Sequence, residues 1–322
     1  MTHGNSALSG LFRVSKSPWG PLDQKGALNY LTPQSQAAVM SRVDGSRVYD
    51  LSVDYFVGMP SFQAAGDPAY QIFMSHTPAG TAVDNLNGQG RAVNACCGYS
   101  GDVILMYTHT GTHIDSLNHF GVGNKIFNQY YSEEHLGSRG WTKNGAEQIP
   151  PIVARGVLLD IAKMKGVECL APSYEITLAD CEACEAAADA RISEGDVVLV
   201  RTGRMQYWPD AARVFGNSPG ITLEAAKWLS AKRIAVVGAD NEAVEFTPST
   251  DPNMWLPVHH HFLAEAGVPQ MECMNLEEMS RDGVTEFAFI GAPIRLRGAT
   301  GAPMRPLAFP LKPSTPPKPS KR

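Results

Sequence analysis

ITLEAAKWLSAKRIAVVGAD, Ile221 to Asp240, sets the fold class. Its first half is rich in leucine, alanine, glutamate and lysine, all strong helix formers. Its second half, RIAVVGAD, reads as a short apolar strand. A helix that feeds directly into a buried strand is the repeating unit of an α/β fold. Working outward, ARGVLLDI (154–161), DVVLVRTG (196–203) and EFAFIGAPI (286–294) predict further strands. TLADCEACEAAADARI (177–192), opening on a threonine cap, and PVHHHFLAEAG (257–267) predict further helices. SRVYDLSVDYF (46–56) alternates as a strand does. In the N-terminal stretch Thr32 suits a helix cap and Pro33 a first helical position. Residues 57–101, dense in Gly, Pro, Asn and Asp, read as long loops that shape a substrate site.

The 322 residues are 43% hydrophobic and 18% charged, the balance of a folded globular chain. A net charge of -5 offers no basic surface for nucleic acid or an anionic membrane, so a small molecule is the expected ligand. No apolar run approaches the ~20 residues of a membrane span, and the first residues lack a secretory pattern. The six cysteines read as reduced thiols of a cytoplasmic protein. Cys181 and Cys184 form a CEAC pair, but they fall in an alanine-rich helix without a second pair at zinc-site spacing.

Chemistry concentrates in HTGTHIDSLNHF (109–120), which holds three of the nine histidines. DVILMYTHT (102–110) predicts a buried strand leading into it. If that strand continues through Asp115, His109, Gly111, His113 and Asp115 share one face. Gly111 then leaves a gap for an ion, and Thr110 and Thr112 face the backbone on the other side. Two imidazoles and a carboxylate suit Zn²⁺, Mn²⁺ or Fe²⁺. His119, four residues on, stands near the ion as a general acid/base. A second cluster, His259, His260 and His261, precedes Glu272. Neighbours on a helix lie ~100° apart, so at most one or two of these histidines reach a common site.

HTGTHIDSLNHF resembles the HxGTHxDxxxH signature of the cyclase-like metal-dependent hydrolases, a family that includes bacterial kynurenine formamidase and isatin hydrolase. HHFLAEAGVPQMECMNL (260–276) is similar to a later family segment in which a histidine precedes a glutamate by twelve residues. WGPLDQKGALNYLTP (19–33) and LRGATGAPMRPLAF (296–309) look like its opening and closing segments. The resemblance implies a single α/β domain with a swivelling β/β/α-like core, a mixed sheet and flanking helices. It implies His109, His113 and Asp115 as ligands of one ion, with Asp115 bridging to a second held by His260 and Glu272 in two-metal members. It also implies His119 as general acid/base, and a homodimer or homotetramer. Leu117 stands where the formamidase-type motif usually has proline. Much of this chain's extra length falls in its N-terminal segment and in NEAVEFTPSTDPNMW (241–255).

The expected organisation is an N-terminal arm (1–40), a hydrolase domain (41–309) and a Pro/Lys-rich tail (310–322). The expected activity is cleavage of an amide, lactam or ester, with cyclic amides or N-acyl compounds as the expected substrates and one or two divalent ions, Zn or Mn foremost. Phe56, Met59, Phe62, Tyr207 and Trp208 are candidate pocket walls. Arg201 and Arg204 either meet a substrate carboxylate or pair with structural acids. Two rival readings are a non-haem iron oxygenase, which would be a strand-dominated jelly roll, and a metal-binding scaffold without catalysis.

Overall fold

A computed structural model describes residues 12–85, 87–188 and 190–313. In chain order its main elements are helix α1 (Pro33–Arg42), strands β1 (Tyr49–Asp50), β2 (Gln71–His76), β3 (Gly101–Leu105), β4 (His113–Asp115) and β5 (Ile152–Asp160). Helix α2 (Leu178–Ala187), strand β6 (Val197–Arg201), helix α3 (Leu223–Ala231) and strand β7 (Val236–Ala239) follow. The short α4 (Pro257–His259) runs on as the π-helix His260–Ala266. Strands β8 (Gln270–Glu272), β9 (Glu286–Gly291), β10 (Gly301–Pro303) and β11 (Leu307–Pro310) complete the chain.

Among the described residues, nine strands form one mixed sheet in the order β1-β11-β9-β5-β6-β7-β8-β4-β10. β5 to β8 run parallel, and antiparallel pairs extend the sheet on both sides. All five residues of β6 are buried, as a parallel strand covered on both faces requires. Alternate residues feed two cores. Val157, Leu159, Val198, Val200 and Val237 pack under α2 and α3. Leu158, Leu199, Met271 and Phe289 enter the other core, together with Tyr49 and Ile114. Tyr49 and Ile114 come from strands near opposite ends of the order, so the sheet curls around that second core. The expected α/β domain with mixed sheet and flanking helices is the fold observed; a jelly roll is not.

Local signals explain the helices. Thr32 and Ser35 form a capping box with Pro33 in the first turn of α1, and Thr177 and Asp180 form another on α2. Residues 12–40 lie on the body of the protein: the Ser15 and Ala27 amides donate to the carbonyls of Ala264 and Gly267 at 3.0 and 2.7 Å. The expected arm boundary at 40 thus falls inside α1. Pro310 closes β11 and Leu311 bridges to Val43, so the expected tail begins inside the sheet; residues 314–322 lie outside the described residues.

Two strand expectations need correction. SRVYDLSVDYF contributes only Tyr49–Asp50. DVILMYTHT is not a buried strand running into the histidines. It stops at Leu105, pairs with β2 as a separate hairpin, and leaves its apolar side chains half exposed. The chain loops from 106 to 112, with Gly111 at φ +61°, a conformation glycine adopts without strain. The 57–101 stretch is not loop alone; besides β2 it holds two short helices, Pro78–Asp84 and Arg91–Cys96.

Candidate metal centre

β4 lies between β8 and β10, and the register decides which side chains meet. His113 stands directly opposite Glu272, and Asp115 opposite Gln270. Directly opposed residues of an antiparallel pair project to the same face, and alternate residues of one strand do too. The period-two reading therefore holds for His113 and Asp115, and it extends to Gln270 and Glu272. His109 arrives from the loop instead. A side chain on Gly301, opposite Asp115, would come within 2.6 Å of the His109 ring. The gap on this face thus belongs to Gly301 and admits an imidazole. Gly111 faces Tyr55 and Met59 and serves the turn.

The ligand atoms of His109, His113 and Asp115 lie within 4.8 Å of one another, and so do those of Asp115, His119 and His259. His109 Nδ1 is 2.6 Å from Asp115 Oδ1, and its Nε2 is 2.9 Å from Thr300 Oγ1. His113 donates from Nδ1 to the Gly111 carbonyl at 2.8 Å. Its Nε2 is buried without a hydrogen-bond partner, 3.4 Å from Asp115 Oδ1 and 3.4 Å from Glu272 Oε2. His259 Nε2 is 3.0 Å from Glu272 Oε1 and 3.8 Å from Asp115 Oδ2. Gln270 donates to Asp115 Oδ2 at 3.2 Å.

Two buried carboxylates facing imidazole nitrogens demand positive charge between them. Burial and the Asp115 charge push Glu272 up to about 7. Burial also opposes ionisation of Asp115, but the surrounding histidines hold its carboxyl well below the usual range. Burial would lower His113 and His259; their carboxylate neighbours outweigh it, raising His113 and lifting His259 to about 10. The orphaned His113 nitrogen and this borderline N/O donor set fit a divalent cation.

His119 sits beside the cluster, its ring stacked on His109 with centroids 3.9 Å apart. Burial and the adjacent His109 keep its pKa well below the ordinary histidine value, so the ring is neutral at neutral pH.

His260, the histidine selected by the twelve-residue spacing, is not brought to the cluster; His259 is. A π turn holds more residues than an α turn, and the segment after His259 is π-helical. The residue facing Glu272 is therefore thirteen positions back, not twelve. His260 instead packs on Phe12, with centroids 4.1 Å apart, and His261 pairs with Glu265 and Ser230.

Glu245, which accepts from His259 Nδ1 at 2.8 Å, was not singled out by sequence reasoning, and neither were Gln270 and Thr300. Only strand register and the pairing of distant loops reveal them. The aromatic neighbours are also new. Tyr107 lies 4.9 Å from His109 and Phe120 4.9 Å from His259, with Trp255 beyond Phe120 at 5.9 Å. Of the candidate walls, Met59 packs at Gly111. Tyr207 and Trp208 join a small cluster around Cys273, with Phe56 edge-on to Trp208. Arg201 is held by Glu277 and Asp160, and Arg204 by the Val214 and Gly216 carbonyls, so both are structural. Burial pushes the Cys181 and Cys184 thiols up to about 12, away from reactivity.

The Cyclase family model matches residues 49–246. A solved structure described as a novel cyclase shares 30% identity over 91% of this chain and 98% of its own, with a TM-score of 0.80. The chain belongs to the Cyclase family. Its cyclase-family fold also superposes on two isatin hydrolases A. The Ralstonia solanacearum protein gives a TM-score of 0.62 at 22% identity, covering 86% of this chain and 97% of that one. The Labrenzia aggregata protein, bound to benzyl benzoate, gives 0.61 at 21%, covering 82% and 93%. No curated protein matches the chain. Among the described residues, no helix is long and apolar enough to cross a membrane.

Proposed function

We propose that this cyclase-family chain is a metal-dependent hydrolase that cleaves an amide, lactam or ester bond of a small molecule. The observation that carries the reading is the buried His113 Nε2, partnerless and facing two carboxylates. His109, His113 and Asp115 would hold one cation, Zn²⁺ or Mn²⁺ by donor type, with His259 and Glu272 offering ligands for a second. Such a cation lowers the pKa of water toward neutrality and polarises a carbonyl oxygen. The chain supplies the proton traffic. Neutral His119 accepts the proton of the attacking water and returns it to the leaving nitrogen or oxygen. Gln270 holds Asp115 in place from the opposing strand. Tyr107, Phe120 and Trp255 form an aromatic margin beside the cluster and favour a planar substrate. Free cysteines among the described residues support a reducing, cytoplasmic setting.

The test is a panel of N-formyl anilides, lactams and aryl esters offered to chelator-treated protein before and after Zn²⁺ or Mn²⁺ is restored. Hydrolysis that appears only on reloading is the expected result. Cation binding without turnover of any panel member would leave the scaffold reading standing.

A further inference from the structure

Three consecutive histidines enter the helix after residue 256, yet only His259 faces the cluster, and the structure shows what holds it there. The Glu245 carboxylate is buried between α4 and the loop after β7. Its Oε1 accepts from the His259 backbone amide and from His259 Nδ1, both at 2.8 Å; its Oε2 accepts from the Val258 amide at 3.1 Å. One carboxylate thus caps the helix start and grips the ring of the same residue. With Nδ1 engaged, Nε2 is the nitrogen that points at Glu272 and Asp115.

The loop that presents Glu245 is itself constrained. Val244 sits at φ +59°, where a β-branched residue is strained. The Asn241 side chain pins it, accepting from the Val244 amide at 2.7 Å and donating to the Pro219 carbonyl at 2.6 Å. Backbone strain that the surroundings enforce is characteristic of functional loops. Neither neighbouring histidine is held toward the cluster: His260 Nε2 reaches only the Arg13 carbonyl at 3.4 Å, and both ring nitrogens of His261 are engaged elsewhere, Nδ1 by Glu265 at 2.7 Å and Nε2 by Ser230 at 2.8 Å.

We propose that Glu245 is a positioning residue that selects His259 from the three histidines and fixes its Nε2 toward a divalent cation shared with Glu272 and Asp115. The inference rests on the cation reading of the cluster but not on hydrolysis, and its test uses no substrate. Chelator-treated protein is titrated with Co²⁺, following heat and visible absorption. Glu245→Gln keeps the size of the side chain but places an amide N–H₂ where one carboxylate oxygen accepted. It is expected to weaken Co²⁺ binding roughly 10- to 100-fold, the usual consequence of losing an outer partner of a ligand histidine, and to alter the d–d spectrum. His260→Ala is expected to bind as wild type. Combining Glu245→Gln with His259→Ala should cost no more than His259→Ala alone. Wild-type affinity and spectrum in Glu245→Gln would overturn the proposal. If Glu245→Gln does not fold, His259→Ala against His260→Ala decides: equal losses, or a larger loss at 260, would overturn it.

Discussion

His119 and Gly301 show how narrowly single side chains define this site. His119 is stacked on His109, and in the proposed role it acts through proton transfer, so His119→Ala should retain cation affinity and melting temperature. Its turnover should fall roughly 10²- to 10⁴-fold; unchanged turnover in a steady-state assay removes the role. Gly301 has the opposite signature. A methyl group there meets the His109 ring at 2.6 Å, so Gly301→Ala should displace the ring and weaken cation binding by calorimetry. An unaffected affinity would mean that His109 is not a ligand. Residue types at short spacing made His109, His113, Asp115 and His119 legible. The choice among His259, His260 and His261 was not legible, because it depends on a π-helical turn and on Glu245, fourteen residues upstream of His259.

At the scale of elements, the sheet is held to its flanks by ion pairs that lie outside the site. Glu286 on β9 takes Arg42 of α1 at 3.1 Å and Arg155 of β5 at 2.6 Å. Partial burial would lift its carboxyl, but the two guanidiniums outweigh that and hold it below its ordinary 4.5. A depressed folded pKa means that Glu286 stabilises the fold above about 4.5 and that this contribution is lost as pH falls through the folded value. Glu286→Gln should therefore melt lower than wild type at neutral pH, with the gap closing in acid. A constant gap from pH 7 to pH 3 in thermal melts would contradict the pairing. The parallel strands and their capped helices were readable from apolar runs and threonine caps, since local chemistry and tertiary packing agree there. β3 was misread because periodicity reports that a strand is apolar but not whether anything covers it.

That uncovered hairpin leaves a group of apolar side chains open to solvent among the described residues. Ile72, Phe73, Met74, Val103, Ile104 and Leu105 are each about half exposed, spread over both faces of a two-stranded sheet. A lone hairpin is marginally stable in water. The six side chains expose on the order of 600 Å², against about 800 Å² per partner in a standard interface. This is the candidate surface for the homodimer or homotetramer that the family resemblance implies. Sedimentation should show a dimer or larger assembly that Phe73→Asp with Ile104→Lys converts to a folded monomer; a wild-type monomer at micromolar concentration would exclude it. The most direct test of the account as a whole is anomalous diffraction at the metal edge from crystals loaded with Zn²⁺. A peak is expected ~2.0–2.2 Å from His113 Nε2 and from an Asp115 carboxylate oxygen. Loaded crystals with no peak at that point, or with His113 Nε2 turned away from the only peak, would contradict it.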